Sequence, residues 1–256
     1  MSGRALRGLA ERFPSLATAV WVYRRLRRSR TIFAQAGGDS RPLEELVTEN
    51  GGLLALTLGG VSDLRLEEAP VVASQKWEEL LPLLERIRAL RPRRVCEIGT
   101  SAAGTLYLLT RVSAPDAVIV SIDISVPLHA RALRSKFGLD RQTVVSIEGD
   151  SHSQVTKREL ERALGGDPLD VLFIDGDHSY DGVRADFELY RELVRPGGLI
   201  ALHDVNEDFR TRRGIKSPSI SGEVPRFWQE VKSAYRTEEL IADPEQDGFG
   251  IGVIYL

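Results

Sequence analysis

Residues 169–205 read LDVLFIDGDHSYDGVRADFELYRELVRPGGLIALHDV, and this stretch decides the fold. An apolar strand pattern over Val171–Ile174 is followed by a helical pattern over Gly182–Val194 and by a second apolar strand over Leu199–Leu202. Apolar runs of this length that alternate with a helix are typical of neighbouring parallel strands joined by a right-handed crossover. The stretch therefore predicts a βαβ unit within a parallel sheet.

The same unit recurs upstream, whereas the chain ends differently. Further strands are predicted at Arg94–Ile98, Ala117–Ile122 and Thr143–Ile147. Helical patterns cover residues 74–90, Gly104–Arg111, Leu128–Phe137 and Gln154–Leu164. Two last strands, Thr237–Ala242 and Gly248–Tyr255, flank a short Asp/Pro/Gly turn and predict an antiparallel hairpin. The expected fold is α/β, a doubly wound and mostly parallel sheet of seven strands.

The beginning of the chain differs in charge from the rest. Residues 1–30 carry eight arginines and one glutamate, whereas the remainder carries 26 basic and 36 acidic residues. We expect a basic helical arm with a linker over 1–43, followed by a single domain over 44–256. The acidic remainder argues against a nucleic-acid-binding core. The arm is expected either to contact anionic membrane lipid weakly or to pack over the active site or across a dimer interface.

Cysteine content and hydropathy exclude several classes of protein. The chain has one cysteine, Cys96, which excludes an internal disulfide and a cysteine-based zinc site. No apolar run approaches the length of about 18–20 residues that a membrane span requires. We therefore expect a cytoplasmic protein.

The loop after the first strand, EIGTSAAG at 97–104, has the features of a ligand-binding turn. Gly99 and Gly104 allow a tight turn and a close backbone approach, and the following helix offers free N–H groups. The loop lacks the GxGxxG spacing of dinucleotide enzymes. Glu97 would repel a phosphate and attract an α-ammonium group, which favours a ligand with an amino-acid end.

Acidic residues end the next two strands at the same expected edge. Asp123 ends the second strand, where a carboxylate can accept hydrogen bonds from both ribose hydroxyls. Asp150, followed by Ser151, ends the third and could accept from an adenine amine. Together with the loop at 97–104, these residues predict a site for a nucleoside that carries an amino acid and no phosphate, as S-adenosylmethionine does.

On these motifs the chain resembles the class I S-adenosylmethionine-dependent methyltransferases, whose fold is Rossmann-like. Residues 169–205, 74–105, 223–231 and 247–256 are similar to the bacterial small-molecule and sugar O-methyltransferases, which include cephalosporin-hydroxylase-like and macrolide-sugar methyltransferases. The resemblance covers residues 74–256. It implies cofactor contacts from Glu97, Gly99, Thr100, Ser101, Gly104, Thr105, Asp123, Asp150, Ser151 and Asp175.

A second candidate site follows the fourth and fifth strands. Asp175 and Asp204 are expected side by side, because neighbouring parallel strands present their carboxyl ends to one crevice. Two carboxylates and water can hold an octahedral divalent cation. The resemblance implies a magnesium-type ion bound by Asp175, His203 and Asp204 that holds the acceptor hydroxyl. His203 stands where related enzymes usually carry an acid, and a histidine suits Mn²⁺ better than Mg²⁺.

The predicted reaction is methyl transfer to a hydroxyl of a small molecule, with a sugar of a natural product or glycan as the suggested acceptor. His178 is the first candidate for the base and His203 the second, with Asp175 beside them. His178 could instead belong with Asp177 to a helix cap. Metal-free methyl transfer and non-catalytic binding of S-adenosylmethionine remain alternatives. The missing GxGxxG and Glu97 argue against a nicotinamide-dependent dehydrogenase. We expect a homo-oligomer.

Overall fold

The structure is a computed structural model, and it describes residues 65–66, 69–70, 73–126, 134–135, 137–139, 141–217 and 219–256. The basic arm and linker expected over 1–43 lie outside these residues, as does most of the helix expected over Leu128–Phe137. Across the described part, no helix has the length and apolar character needed to cross a membrane. Outside the main sheet, Arg65–Leu66 pairs antiparallel with Ala69–Pro70.

Seven strands form the main sheet. In chain order they are β1 (Arg94–Ile98), β2 (Val118–Asp123), β3 (Thr143–Glu148), β4 (Leu169–Ile174), β5 (Val194–His203), β6 (Arg236–Leu240) and β7 (Ile251–Tyr255). Their spatial order is β3-β2-β1-β4-β5-β7-β6. The first five strands run parallel, β7 is antiparallel to β5, and β6 is antiparallel to β7. The predicted doubly wound sheet with a closing hairpin is confirmed.

Six α-helices are described around the sheet. They are α1 (Trp77–Leu90), α2 (Gly104–Val112), α3 (Gln154–Ala163), α4 (Tyr180–Tyr190), α5 (Phe209–Arg213) and α6 (Val224–Ala234). The helix predicted over Gly182–Val194 ends earlier, because a 3-10 turn follows at Arg191–Leu193. Strand β5 then begins at Val194 rather than Leu199, since Val194 pairs with Leu169 across a register irregularity.

Alternating strand residues build an apolar layer on each face of the sheet. One layer joins Val95, Val171 and Phe173 to the buried stripe of α1, which includes Leu83. The other layer joins Cys96, Ile98 and Leu172 to aromatic side chains of α4 and α6, including Phe187, Phe227 and Trp228. Both faces of the central strands are thus covered, as expected of a parallel sheet.

The strand register brings the candidate residues to one edge. Ile98 lies opposite Ile174, and Ile174 lies opposite Leu202, so the segments that follow β1, β4 and β5 start at the same level. Asp123 lies opposite Glu148 at the ends of β2 and β3. Both candidate sites that the sequence predicts therefore lie at the carboxyl edge of the sheet.

Candidate active site

The loop between β1 and α2 lies directly against the end of β4. Gly99 has φ +83°, and a Cβ at this position would lie 1.9 Å from the carbonyl oxygen of Asp175. Only glycine fits this conformation and this contact. Ser101 and Ala103 also have positive φ, so the chain turns sharply before α2 starts at Gly104. The turn aims the N–H groups of the first helical turn at the crevice above the sheet.

Glu97 is a buried acid below this loop. Its Oε2 has no hydrogen-bond partner among the described residues. Burial raises the pKa of Glu97 well above its ordinary value, while the Thr100 hydroxyl and the Arg134 guanidinium oppose that shift. Arg134, which sequence reasoning did not single out, donates a hydrogen bond to the carbonyl oxygen of Ser101. A buried carboxylate with an unused oxygen is suited to a ligand that brings a hydrogen-bond donor.

The predicted ribose and adenine contacts lie on the neighbouring strand ends. Asp123 accepts hydrogen bonds from the backbone N–H of Ser101 at 2.7 Å and of Ser125 at 3.1 Å. Each carboxylate oxygen keeps a second lone pair for a ligand hydroxyl. Asp150 is exposed and accepts from the backbone N–H of His152, and the carbonyl oxygen of Ser151 accepts from Tyr190.

Four charged side chains meet where β4 and β5 end. His203 Nδ1 lies 3.1 Å from Asp175 Oδ1 and 3.2 Å from Asp204 Oδ2. His178 Nε2 lies 3.5 Å from Asp175 Oδ1, and His178 Nδ1 lies 3.6 Å from Asp204 Oδ2. The structure therefore brings together all the residues for which the sequence predicts a metal or base role. We call Asp175, His178, His203 and Asp204 the carboxylate–histidine cluster.

The cluster shifts the pKa values of its members. Burial opposes ionisation of Asp175, but the two histidines outweigh it and lower the pKa of Asp175 to about 2. The hydrogen bond to Asp175 raises the pKa of His178 to about 9. Burial opposes this shift, and the charge of Asp204 adds to it. For His203, burial lowers the pKa, but Asp175 and Asp204 outweigh burial and raise it well above the ordinary value. Opposite charges therefore stabilise each other in the crevice.

The two histidine rings of the cluster differ in the partners of their nitrogen atoms. His178 Nδ1 lies 2.6 Å from the carbonyl oxygen of Ile220, which can only accept, so Nδ1 carries a proton and Nε2 faces Asp175. His203 places Nδ1 between the two carboxylates, and its buried Nε2 has no partner within the described part of the chain. The ligand atoms that lie within 4.8 Å of one another belong to Asp175, His178 and Asp204. His178 is thus the third residue of this possible metal-ligand group, whereas the resemblance implied Asp175, His203 and Asp204.

Gln75, at the start of the segment that leads into α1, is a site residue that the sequence did not reveal. Its Nε2 donates to Asp175 Oδ2 at 2.6 Å, and its Oε1 accepts from the Thr105 hydroxyl at 2.7 Å. The contacts span 100 and 30 positions of the chain. No spacing rule predicts such a contact, because it depends on how α1 docks against the sheet.

Asp186 is a second functional candidate that the sequence did not reveal. This α4 side chain is 0% exposed, and neither carboxylate oxygen has a hydrogen-bond partner in the described residues. Its Oδ1 lies 3.5 Å from His152 Nε2. Burial raises the pKa of Asp186 to about 6. Asp186 therefore faces His152, which follows Asp150 and Ser151 in the loop after β3.

The polar segment from Asn206 to Glu223 connects β5 to α6 and contains α5. Its carbonyl at Ile220 contacts His178, so the segment borders the cluster. Arg212 donates to Asn206 Oδ1 and to the carbonyl oxygens of Glu207 and Gln246. Arg213 pairs with Glu245. Arg210 and Lys216 are exposed.

A sequence-family model and curated relatives match parts of this chain. A family model described as a methyltransferase domain matches residues 96–205. An uncharacterized protein, R132, of Acanthamoeba polyphaga mimivirus is 28% identical over 159 residues, which are 59% of this chain and 68% of that protein. Demethylmacrocin O-methyltransferase of Streptomyces fradiae is 30% identical over 88 residues, 34% of this chain. This last match spans only 20% of the length of that enzyme.

A solved structure has the same fold over most of the chain. The crystal structure of an O-methyltransferase from Bacillus cereus in complex with SAH has a TM-score of 0.53 and 18% sequence identity. It covers 84% of this chain and 90% of the other. At this identity the likeness concerns the fold, which agrees with the strand order described above.

Proposed function

We propose that this chain is a class I S-adenosylmethionine-dependent methyltransferase, as its sequence predicts, and that it methylates a hydroxyl of a small molecule with the help of a divalent cation. The observation that carries the proposal is the contact between Gly99 and Asp175, because it joins the cofactor loop to the carboxylate–histidine cluster. A methyl donor at the loop and an acceptor at the cluster would then be neighbours.

The residues at the loop fit S-adenosylmethionine. Glu97 offers a buried, unused carboxylate oxygen to an ammonium group, and Asp123 offers lone pairs to the ribose hydroxyls. Gly99 lets the loop lie directly against Asp175, where a side chain would collide with the backbone. When bound, the sulfonium group supplies an activated methyl for in-line displacement. The protein contributes orientation, which converts a bimolecular encounter into a reaction between neighbours.

The cluster fits a divalent cation with mixed oxygen and nitrogen ligands. Asp175, Asp204 and His178 have ligand atoms within 4.8 Å of one another. The two carboxylates and water suit Mg²⁺, whereas a cation that also bound His178 Nε2 would be of the Mn²⁺ type and would prevent His178 from acting as a base. A cation at these residues would hold the acceptor oxygen and lower the pKa of its hydroxyl. Asp175 and Asp204 would supply the negative charge that retains it.

We propose His178 as the general base once a cation occupies the two carboxylates, because the cation would offset the negative charge that raises the pKa of His178 to about 9. Its Nδ1–H donates to the carbonyl oxygen of Ile220, which fixes the ring so that Nε2 is the atom able to take a proton. Base catalysis by a positioned side chain contributes about 100-fold to 10,000-fold in rate. For His178→Gln we therefore expect a loss of about 100-fold in kcat with unchanged affinity for S-adenosylhomocysteine.

Metal-free transfer is a second candidate, and the position of His203 favours it. His203 Nδ1 lies within 3.2 Å of both carboxylates, so a protonated ring already supplies positive charge between Asp175 and Asp204. In this mechanism His178 acts as base without a cation, and the rate would rise with pH towards the raised pKa of His178, about 9. Activity would then survive chelation.

We propose a sugar hydroxyl of a natural product or glycan as the acceptor. The support is the similarity to the demethylmacrocin enzyme of Streptomyces fradiae over 88 residues. Further proposals are a homo-oligomeric state, a weak membrane contact of the basic arm, and a cytoplasmic location, for which the support is that the single cysteine, Cys96, is free and buried.

The test is calorimetric titration of the protein with S-adenosylmethionine and S-adenosylhomocysteine in Mg²⁺, Mn²⁺ or EDTA, followed by methyl transfer to a panel of hydroxylated acceptors. Binding of both ligands with turnover that EDTA abolishes supports the metal-assisted reaction. Turnover that persists in EDTA favours the second candidate. Absence of binding in every condition overturns the proposal.

A further inference from the structure

Gln75 links the two halves of the proposed active site. Its side chain is buried at 2% exposure, and both ends of its amide are engaged. Nε2 donates to Asp175 Oδ2 at 2.6 Å, and Oε1 accepts from Thr105 Oγ1 at 2.7 Å. Asp175 belongs to the carboxylate–histidine cluster, and Thr105 is the second residue of α2, next to the cofactor loop. A single side chain therefore bridges the two.

The direction of this hydrogen-bond chain is fixed by chemistry. An ionised carboxylate only accepts hydrogen bonds, so the amide nitrogen of Gln75 must face Asp175. The amide oxygen then faces Thr105, whose hydroxyl has to donate its only proton to Gln75. The oxygen of Thr105 keeps its lone pairs and can receive a donor from a bound ligand. Each bond in such a chain polarises the next.

The position of Gln75 is held by the neighbouring residues of the same segment. Lys76 Nζ donates to Gln246 Oε1 at 2.7 Å. Glu79 is fully buried and accepts from Gln246 Nε2 at 2.6 Å and from the backbone N–H of Gly250 at 2.9 Å. These bonds tie the start of α1 to the loop before β7. Gln75 is therefore presented by a fixed segment rather than by a free loop.

We propose that Gln75 is a positioning residue that transmits occupancy of the cofactor loop, through Thr105, to the Asp175 carboxylate. The inference rests on the proposed function for the identity of the ligand at the loop. Its consequence is that a ligand donor accepted by Thr105 strengthens the hydrogen bond that orients Asp175. His203 then registers the change, because its Nδ1 lies 3.1 Å from Asp175 Oδ1.

The test follows the ring signal of His203 by ¹⁵N nuclear magnetic resonance while S-adenosylhomocysteine is added without metal. The chain has four histidines, so single His→Gln variants assign the signals. Addition of the ligand should shift the His203 signal in the unmodified protein. In Gln75→Met and in Thr105→Val the shift should be lost, with at most about a 5-fold loss of ligand affinity, whereas Thr105→Ser should keep it.

Gln142→Met is the matched control. Gln142 Nε2 donates to the carbonyl oxygens of Thr110 and Ala114, near the C-terminal end of α2 and away from the crevice. This variant should keep the His203 shift. A shift that persists in both Gln75→Met and Thr105→Val, or no shift in an unmodified protein that binds the ligand, overturns the inference alone. An unmodified protein that does not bind the ligand overturns the proposed function as well.

Discussion

Two aspartates lie at opposite ends of β4, and their surroundings differ in kind. Asp170, near the amino end, accepts from the backbone N–H groups of Arg93 and Arg94 and from Arg195 Nε. Asp175, just past the carboxyl end, faces Gln75 and two histidine rings, and the buried Nε2 of His203 has no partner in the described residues. One end of the strand uses its carboxylate to join strands. The other end holds charge that a ligand can use.

The largest expected effect is the difference between substituting Asp175 and substituting Asp170. Asp175→Asn should lower methyl transfer by at least about 100-fold. The substitution removes negative charge that would hold the cation, and with it the acceptor oxygen, in the crevice. Asp170→Asn should leave the rate within about 3-fold and lower the free energy of unfolding by about 1–3 kcal/mol, since charged hydrogen bonds are lost. Initial rates and urea unfolding of both variants measure the contrast.

Asp167→Asn is the control for the amino end of the sheet. The Asp167 carboxylate pairs with Arg94 at 2.6 Å but is 61% exposed, so its removal should change stability by less than about 0.5 kcal/mol. The comparison between the two ends of β4 fails if Asp170→Asn abolishes turnover in a folded protein, or if Asp175→Asn leaves turnover intact.

The sequence predicts the carboxyl end of β4 well because strand order decides it. Parallel strands put their following residues at one edge, so Asp175 and Asp204 could be placed together from their spacing alone. Gln75, Arg134 and Asp186 could not be found in this way. Their roles depend on how helices and loops dock and on which polar atoms remain buried. Periodicity does not encode either property.

The sequence also predicts the existence of β5 better than the residue at which it begins. The strand predicted from Leu199 begins at Val194, because pairing with Leu169 extends β5 through Pro196 and two glycines. The predicted strand start relied on the apolar run that begins at Leu199. The long-range pairing that overrides this local signal is a tertiary effect.

A smaller effect is expected where the cofactor loop touches Asp175. Gly99→Ala would place a Cβ 1.9 Å from the carbonyl oxygen of Asp175 at φ +83°, so the loop has to move. We expect a stability loss of about 3 kcal/mol and at least about a tenfold loss of affinity for S-adenosylhomocysteine. Thermal melting and calorimetry measure these changes.

Gly165→Ala tests whether the contact, rather than the backbone conformation, causes this loss. Gly165 has φ +68° but no atom within 4 Å of the added Cβ. It should cost about 1 kcal/mol and leave ligand affinity unchanged. Equal losses in the two alanine variants would mean that backbone strain alone is responsible, and that Gly99 does not join the loop to Asp175.

The smallest effect concerns the pH dependence of stability at the amino end of β4. Burial opposes ionisation of Asp170, but Arg195 and two backbone N–H groups outweigh it and lower the pKa of Asp170 below its ordinary value. A group with a lowered pKa in the folded state stabilises the fold above its unfolded pKa of about 4, and this contribution disappears as the pH falls through the folded value. The stability difference between the unmodified protein and Asp170→Asn should therefore be constant near neutral pH and shrink below about pH 4. Urea unfolding of both proteins between about pH 3 and pH 7 measures it. A difference that stays constant over the whole range would show that the hydrogen bonds of Asp170, rather than its charge, join the strands.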